Sequence, residues 1–297
     1  MGTGCRARPT AAPKALLKDS DLNRVLSTHL IANHRLTLAW LQRVLQAGIP
    51  AIEIFCVRQH VDYRDKTQIG ELGHWFRDSD LKLHSLHSPM FSDDKWGRTG
   101  PDTWLNITEP VKSERIRIVD EIKRSIEIAE TIPFKYLIQH IGWSGEEYDE
   151  RKVDAAFNSL DELSLFARQR GVQILLENIP NELSTATRLQ QFLSMTHLDL
   201  YFVFDTGHAN IGAGVEHEFE IMQDRVRSLH IHDNDGTSDL HLFPFSNTGG
   251  TIDWERAMQL IRSHPDQYPL LLELKEVAGM TNPLDQVNAI FDRLETV

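Results

Sequence analysis

Two cysteines in 297 residues, Cys5 and Cys56, are too few for a disulfide framework, and a reducing, cytoplasmic setting is the expectation. No uninterrupted run of ~18 apolar residues occurs, so no membrane-spanning helix is expected. No glycine-rich dinucleotide fingerprint or P-loop follows any apolar run. Basic residues are in deficit: 31 Lys and Arg face 43 Asp and Glu, a formal net charge of −12. A broad nucleic-acid surface is therefore disfavoured, because phosphate contacts need clustered cations. The opening stretch MGTGCRARPTAAPK lacks the apolar segment of a secretory signal, and Arg6 breaks the myristoylation pattern. Residues 1–20 read as a flexible tail and 21–297 as one domain.

What the chain does contain is ordinary core material, 41% hydrophobic and 25% charged residues, in a repeating order. Short β-branched apolar runs predict strands at Val25–Ile31, Ala51–Cys56, Leu81–His87, Lys135–Ile141, Val172–Asn178, Leu200–Asp205, Val226–His232 and Leu270–Lys275. Helical periodicity falls between them, at Leu36–Ala47, Lys66–Arg77, Pro110–Glu130, Asp149–Arg170, Thr185–Met195, Glu216–Gln223 and Trp254–Ser263, and after the last strand at Pro283–Leu294. Gly48 and Gly171 follow helices as C-terminal glycines do, and Asp253 fits an N-cap. Consecutive apolar positions such as Ile174-Leu175-Leu176 and Leu270-Leu271-Leu272 fit strands buried on both faces. Eight such units without a composition break predict an α/β fold, a single (β/α)8 TIM barrel; an open doubly wound sheet is the alternative.

Active sites of such barrels lie at the C-terminal strand ends. The third to eighth strands deliver His87, His140, Glu177, Asp205, His230 and Glu273 to that rim, with His208, His232, Asp239 and His241 close by in sequence. Each alone has an ordinary structural explanation. Together, carboxylates buried without a cation would repel one another and resist desolvation, and a divalent metal with carboxylate and imidazole ligands resolves this. His29 and Glu53, in the first two strands, divide evenly between a structural role and substrate contact. His84 fits an interior barrel layer, while His34, His60, His74, His197, His217 and His264 read as surface. Phe91, Trp96, Trp104, Trp143, Phe243 and Phe245 either stack on a sugar face or pack their own loops. The loops holding most of them mix Lys95 and Arg98 with Asp93, Asp94, Asp102, Asp235 and Asp239, a poor phosphate track.

The segments LHSP (86–89), LLENIP (175–180), FDTGHA (204–209), HIHDNDG (230–236), HLFPFSNTGGTIDW (241–254) and LLLELK (270–275) resemble, in order and spacing, the xylose-isomerase-like TIM-barrel superfamily. The resemblance covers nearly all of the chain after the tail. It implies, for the sugar isomerase and epimerase branch, one divalent metal (Mn, Zn, Mg or Co) held by Glu177, Asp205, His230 and Glu273. It further implies that Glu177 and Glu273 act as the acid/base pair and that His208 touches substrate. His87, His140 and His232 join it as substrate-binding candidates. The apurinic endonuclease branch implies a wider ligand set, in which His87, His140, His208, Asp239 and His241 hold additional zinc ions. The expected activity is a metal-dependent isomerase or epimerase of a sugar, polyol or related hydroxy-carbonyl compound, with a small carbohydrate-like substrate, no membrane and no nucleic acid. A zinc phosphodiesterase and a non-catalytic sugar-binding barrel stand as alternatives. Sugar 3-epimerases carry an arginine where this chain has Gly236, so a ketohexose is not singled out.

Overall fold

A computed structural model describes residues 24–92, 103–264, 268–277, 279–280 and 282–297. The tail 1–20 and Trp96, with most of its loop, lie outside the described residues.

The strands are β1 (Arg24–Ser27), β2 (Ala51–Phe55), β3 (Lys82–His87), β4 (Tyr136–Gln139), β5 (Gln173–Glu177), β6 (Tyr201–Asp205), β7 (Val226–His230) and β8 (Leu270–Leu272). The helices are α1 (Leu38–Gln46), α2 (Lys66–Asp78), α3 (Lys112–Ile126), α4 (Glu150–Arg168), α5 (Ala186–Ser194), α6 (Thr206–Ile211), α7 (Val215–Met222), α8 (Trp254–Ser263) and α9 (Pro283–Leu294). Side chains of Thr37, Asp65, Asp149, Thr185 and Asp253 cap α1, α2, α4, α5 and α8 by accepting backbone N–H groups. Adjacent strands pair in parallel in the order β7-β6-β5-β4-β3-β2-β1-β8. The ring closes through one bridge beyond β7, where Ile231 N–H donates to Leu271 O (2.8 Å) and Glu273 N–H to Ile231 O (3.1 Å). The fold is a TIM barrel.

The strands bury both faces, as their consecutive apolar residues predict. Leu137, Ile174, Leu176, Phe202 and Phe204 pack in the large core that also takes in residues of the helices. Alternate positions form smaller clusters: Tyr136, Ile138, Leu175 and Val203 make one, and Val25, Ala51 and Leu271 another. Strand side chains alternate with period two, so the residue two places on shares the face. By that step Ala51 leads to Glu53, Ile138 to His140, Leu175 to Glu177, Val203 to Asp205, and Leu271 to Glu273. One alternation inside the barrel thus sets the polar rim on an apolar floor.

Among the departures from the sequence reading, three bear on the rim. β1 stops at Ser27 and a 3-10 turn carries Thr28–Ile31. β8 stops at Leu272, which leaves Glu273 just past the strand. The short α6 has no counterpart among the predicted helices; the Asp205 carboxylate caps it by accepting His208 N–H at 2.6 Å.

Candidate metal centre and active site

His230 stands at the middle of the rim, fully buried, between carboxylates on both sides. Its Nε2 donates to Glu53 Oε2 at 3.2 Å. Glu53, also fully buried, is held on both oxygens: Ser27 Oγ donates to Oε1 (3.0 Å) and Ser85 Oγ to Oε2 (2.8 Å). With its proton on Nε2, the ring turns the Nδ1 lone pair outward. That atom faces Glu273 Oε2 at 3.2 Å, Glu177 Oε1 at 3.3 Å and Asp205 Oδ2 at 3.9 Å. A lone pair facing three carboxylates needs a cation between them, either a proton or a metal.

The electrostatics express the same demand. Burial opposes a charge on His230, yet Glu273, Glu53 and Glu177 outweigh it and lift its pKa well above the ordinary histidine value. Burial would raise the Glu177 carboxyl, but His230, His140 and His208 hold it well below the usual range. Glu273 is held down against burial by His230, His241 and His29. Among the described residues no Lys or Arg pairs with Glu53, Glu177, Asp205 or Glu273, so imidazole alone supplies the positive charge.

Further donors surround this core. The His87 ring donates from Nδ1 to Ser88 O (2.9 Å), which leaves Nε2 bare, 3.1 Å from His140 Nε2 and 3.8 Å from Glu177 Oε2. His140 Nε2 lies 3.1 Å from the same Glu177 oxygen. On the opposite side Asp239 Oδ2 sits 3.4 Å from His208 Nε2 and 3.2 Å from His241 Nε2. Asp239 and His241 polarise each other: against burial, the imidazoles of His241 and His208 draw Asp239 far below the carboxylate range, and Asp239 lifts His241 to about 9. His241 adopts a left-handed backbone (φ 48°), tied down by Nδ1 donating to Glu273 O (2.9 Å) and by Lys275 N–H donating to its own carbonyl (3.0 Å).

His232 takes a place of its own. Its Nε2 lies 3.1 Å from Asp205 Oδ2, and its ring stacks on His241 with centroids 4.0 Å apart. The space for that ring exists because residue 207 is glycine: a Cβ there would meet His232 Cε1 at 2.0 Å. Four donor groups result, each with ligand atoms mutually within 4.8 Å: Glu177–Asp205–His230–Glu273, His87–His140–Glu177, Asp205–His208–His232 and His232–His241–Glu273. Glu273 Oε1 is buried here without a hydrogen-bond partner, while His208 Nδ1 stands between Glu177 Oε1 (3.2 Å) and Asp205 Oδ1 (3.6 Å). An unpaired carboxylate oxygen among crowded carboxylates and imidazoles fits a divalent cation.

All ten rim candidates from the sequence therefore fall in one cluster. Glu53 belongs to it too, and His29 borders it: burial and neighbouring His241 push His29 down to about 3, and its ring packs on His241 and Phe55. His84 lies in the barrel, edge-on to Tyr136. Of the histidines read as surface, His60 is fully buried, its Nδ1 donating to His34 O, and His264 is half-buried against Tyr268. Phe91, Trp104 and Trp143 form one aromatic group, whereas Phe243 is buried and Phe245 packs on Trp254 beneath Arg293.

Fold and rim together define a parallel β/α barrel with a carboxylate–imidazole centre at its C-terminal mouth. The chain belongs to the xylose isomerase-like TIM barrel family, whose sequence profile matches residues 41–295. An uncharacterized protein of Methanocaldococcus jannaschii is 32% identical over 167 residues, 55% of this chain; the match spans 60% of that protein's length. Among solved structures, a D-tagatose 3-epimerase-like protein superposes with TM-score 0.72 at 22% identity, over 92% of this chain and 97% of its own. The IOLI protein with a bound zinc atom gives TM-score 0.72 at 17% identity, over 92% of this chain and 96% of its own. At these identities the two structures speak for the fold.

Proposed function

We propose that the chain is a divalent-metal-dependent isomerase or epimerase acting on a sugar, polyol or related hydroxy-carbonyl compound by carboxylate-mediated proton transfer. The observation that carries this reading is the convergence of Glu177, Asp205, His230 and Glu273 on one buried point with no Lys or Arg beside them among the described residues. Those four residues would hold the cation, which when bound supplies polarisation of a substrate carbonyl and offsets the charge of the carboxylates. The likeness to a D-tagatose 3-epimerase-like protein is consistent with this chemistry. Glu177 and Glu273 reach the centre from strands three apart around the ring and flank it from two sides. One takes the proton from carbon next to the carbonyl, and the other returns one from the opposite face. Glu273 Oε1, buried and without a partner, is suited to hold a proton in transit. His208 binds a substrate oxygen, and His87, His140 and His232 line the remaining walls. Their burial excludes the water that would quench a carbanion-like intermediate.

The test is turnover of a panel of free ketoses and aldoses in deuterated water, with the protein loaded in turn with Mn, Zn, Mg and Co. Epimer or isomer formation with deuterium at the reacting carbon is expected. Turnover without solvent deuterium would replace proton transfer by a hydride shift. The additional donor groups favour a second reading, a multinuclear zinc phosphodiesterase. Cleavage of bis(p-nitrophenyl) phosphate without action on any sugar would select it.

A further inference from the structure

Behind His87 and His140, between the loops that follow β3 and β4, lies a small cavity lined by Ser88, Gln139 and Trp143 and walled by Met90 and Leu105. It leaves about 10 Å³ for the centre of a water molecule, room for a single oxygen. Three of the lining residues carry a buried polar atom without a hydrogen-bond partner: Ser88 Oγ, Gln139 Oε1 and Trp143 Nε1. Ser88 and Gln139 are themselves only 2% and 4% exposed.

The surrounding bonds fix which atoms stay open. The Gln139 amide donates from Nε2 to His140 O (3.0 Å), so the oxygen is its free end. Ser88 has its N–H on Ile138 O and its carbonyl on the His87 ring, which leaves the hydroxyl. The Trp143 backbone N–H donates to Glu146 Oε2 (2.8 Å), and its carbonyl accepts from Asn181 Nδ2 (3.0 Å). Glu146 is pinned in turn by Asn106 (2.9 Å), Thr108 (3.0 Å) and Lys152 (3.0 Å). Buried polar groups are almost always paired, and three orphans on one cavity in a rigid frame call for a common partner.

We propose that this cavity is a subsite for a neutral hydroxyl group at one end of the substrate, an assignment that rests on the sugar or polyol reading above. The indole N–H can only donate, the Gln139 oxygen can only accept, and the Ser88 hydroxyl can do either. A group that satisfies all three must accept and donate at once, as an alcohol does. A carboxylate or phosphate would turn acceptors toward Gln139 Oε1, and an ammonium would leave the indole N–H unpaired. The cavity has no Lys or Arg among its described lining residues and no volume for a phosphate. His87 and His140 line both this cavity and the carboxylate cluster, through His140 Nε2 at 3.1 Å from Glu177 Oε2. A polyhydroxy chain thus sets its reacting carbons at the carboxylates and an unphosphorylated hydroxyl in the cavity.

Two arms test this separately from the reaction. In the first, crystals of the metal-loaded protein are soaked in ethylene glycol. One hydroxyl is expected in the cavity, within ~3.2 Å of all three atoms, in the wild type but not in a Ser88→Ala, Trp143→Phe double variant of equal metal content. An ordered water that the glycol does not displace, or a cavity with no oxygen in it, overturns the proposal whether or not any sugar is turned over. In the second arm, kcat/KM is compared for D-fructose, D-tagatose and L-ribulose against their terminal phosphate esters. The free sugars are expected to lead, and each single variant to lose about tenfold on them, the weight of one buried hydrogen bond. Preference for the esters overturns the proposal and leaves the isomerase reading standing. Absence of turnover on every compound removes that reading, and the glycol soak still decides the subsite.

Discussion

The two sides of the His230 ring carry similar groups in opposite states. On the Nε2 side Glu53 is buried deep in the barrel, and both its oxygens receive hydrogen bonds, from Ser27, Ser85 and His230 itself. On the Nδ1 side Glu177, Asp205 and Glu273 are as deeply buried, yet their side-chain partners are imidazoles shared among them, His140, His208, His230 and His232, and Glu273 Oε1 has nothing to bond. Burial alone does not mark a functional carboxylate; the chemistry of its partners does, serine hydroxyls for Glu53 and imidazoles able to ligate a metal for the other three. A carboxylate held by hydroxyls that cannot leave orients a neighbour, and one crowded against imidazole nitrogens can share them with a cation. Asp233 extends the contrast: it is buried and accepts from Asn234 N, Thr251 N, Ile252 N and Trp254 Nε1, so it anchors the 250–254 segment and leaves the centre alone.

The largest expected effect falls on the open side. Glu177→Gln and Glu273→Gln keep the shape and one ligand oxygen but remove the base, and each should lower turnover by ~10²–10⁴ while substrate binding falls far less. Equal turnover by either variant would clear that residue of proton transfer. On the satisfied side the effect is smaller and of another kind. Glu53→Gln should fold normally, since the two serine hydroxyls can reorient, but His230 loses the partner that fixes its proton on Nε2. Metal affinity, measured against a competing chelator, should fall ~10–100-fold, as for other carboxylates behind a ligating histidine. Unchanged affinity would reduce Glu53 to packing.

The smallest effect is on stability, away from the rim. Burial presses the His60 imidazole down to about 4, against ~6.5 for an exposed histidine. Below pH ~6.5 the unfolded chain binds a proton that the folded one refuses, so this contribution is complete above that pH and fades toward pH 4, by at most about 3 kcal/mol. His60→Asn keeps a donor near His34 O and does not titrate. Its stability deficit in urea melts should shrink as pH falls from 7 to 4; a constant deficit would show that His60 is not buried neutral.

Much of this was legible in the sequence because barrel strands alternate strictly. Polar residues at apolar strand ends, such as Glu177 after Leu175-Leu176 and Asp205 after Val203-Phe204, have one face to occupy. Glu53 was ambiguous for a physical reason: Ile52, Ile54 and Phe55 around it are all buried, so hydrophobicity does not say which face is which, and only the folded barrel shows that Ala51, and with it Glu53, lies on the inner face. α6 went unread because Thr206–Ile211 is short and depends on the Asp205 cap rather than on apolar periodicity. His60 looks like a surface residue in VRQHVDY and is buried only because the β2–α2 loop folds back to His34. The Ser88, Gln139 and Trp143 atoms could not be found in one dimension, since lacking a partner is a property of the folded neighbourhood.

A cation at the open side of His230 is the central claim, and metal content tests it most directly. Protein purified without chelator, or reloaded with Zn or Mn, should carry at least one tightly held divalent ion per chain by elemental analysis. Asp205→Ala and His230→Ala should lose it while keeping the wild-type circular dichroism spectrum. A count that also falls in His87→Ala and His241→Ala would extend the centre to more than one ion. A wild-type protein that stays metal-free under reloading, or full occupancy in both Asp205→Ala and His230→Ala, would contradict the assignment of the centre.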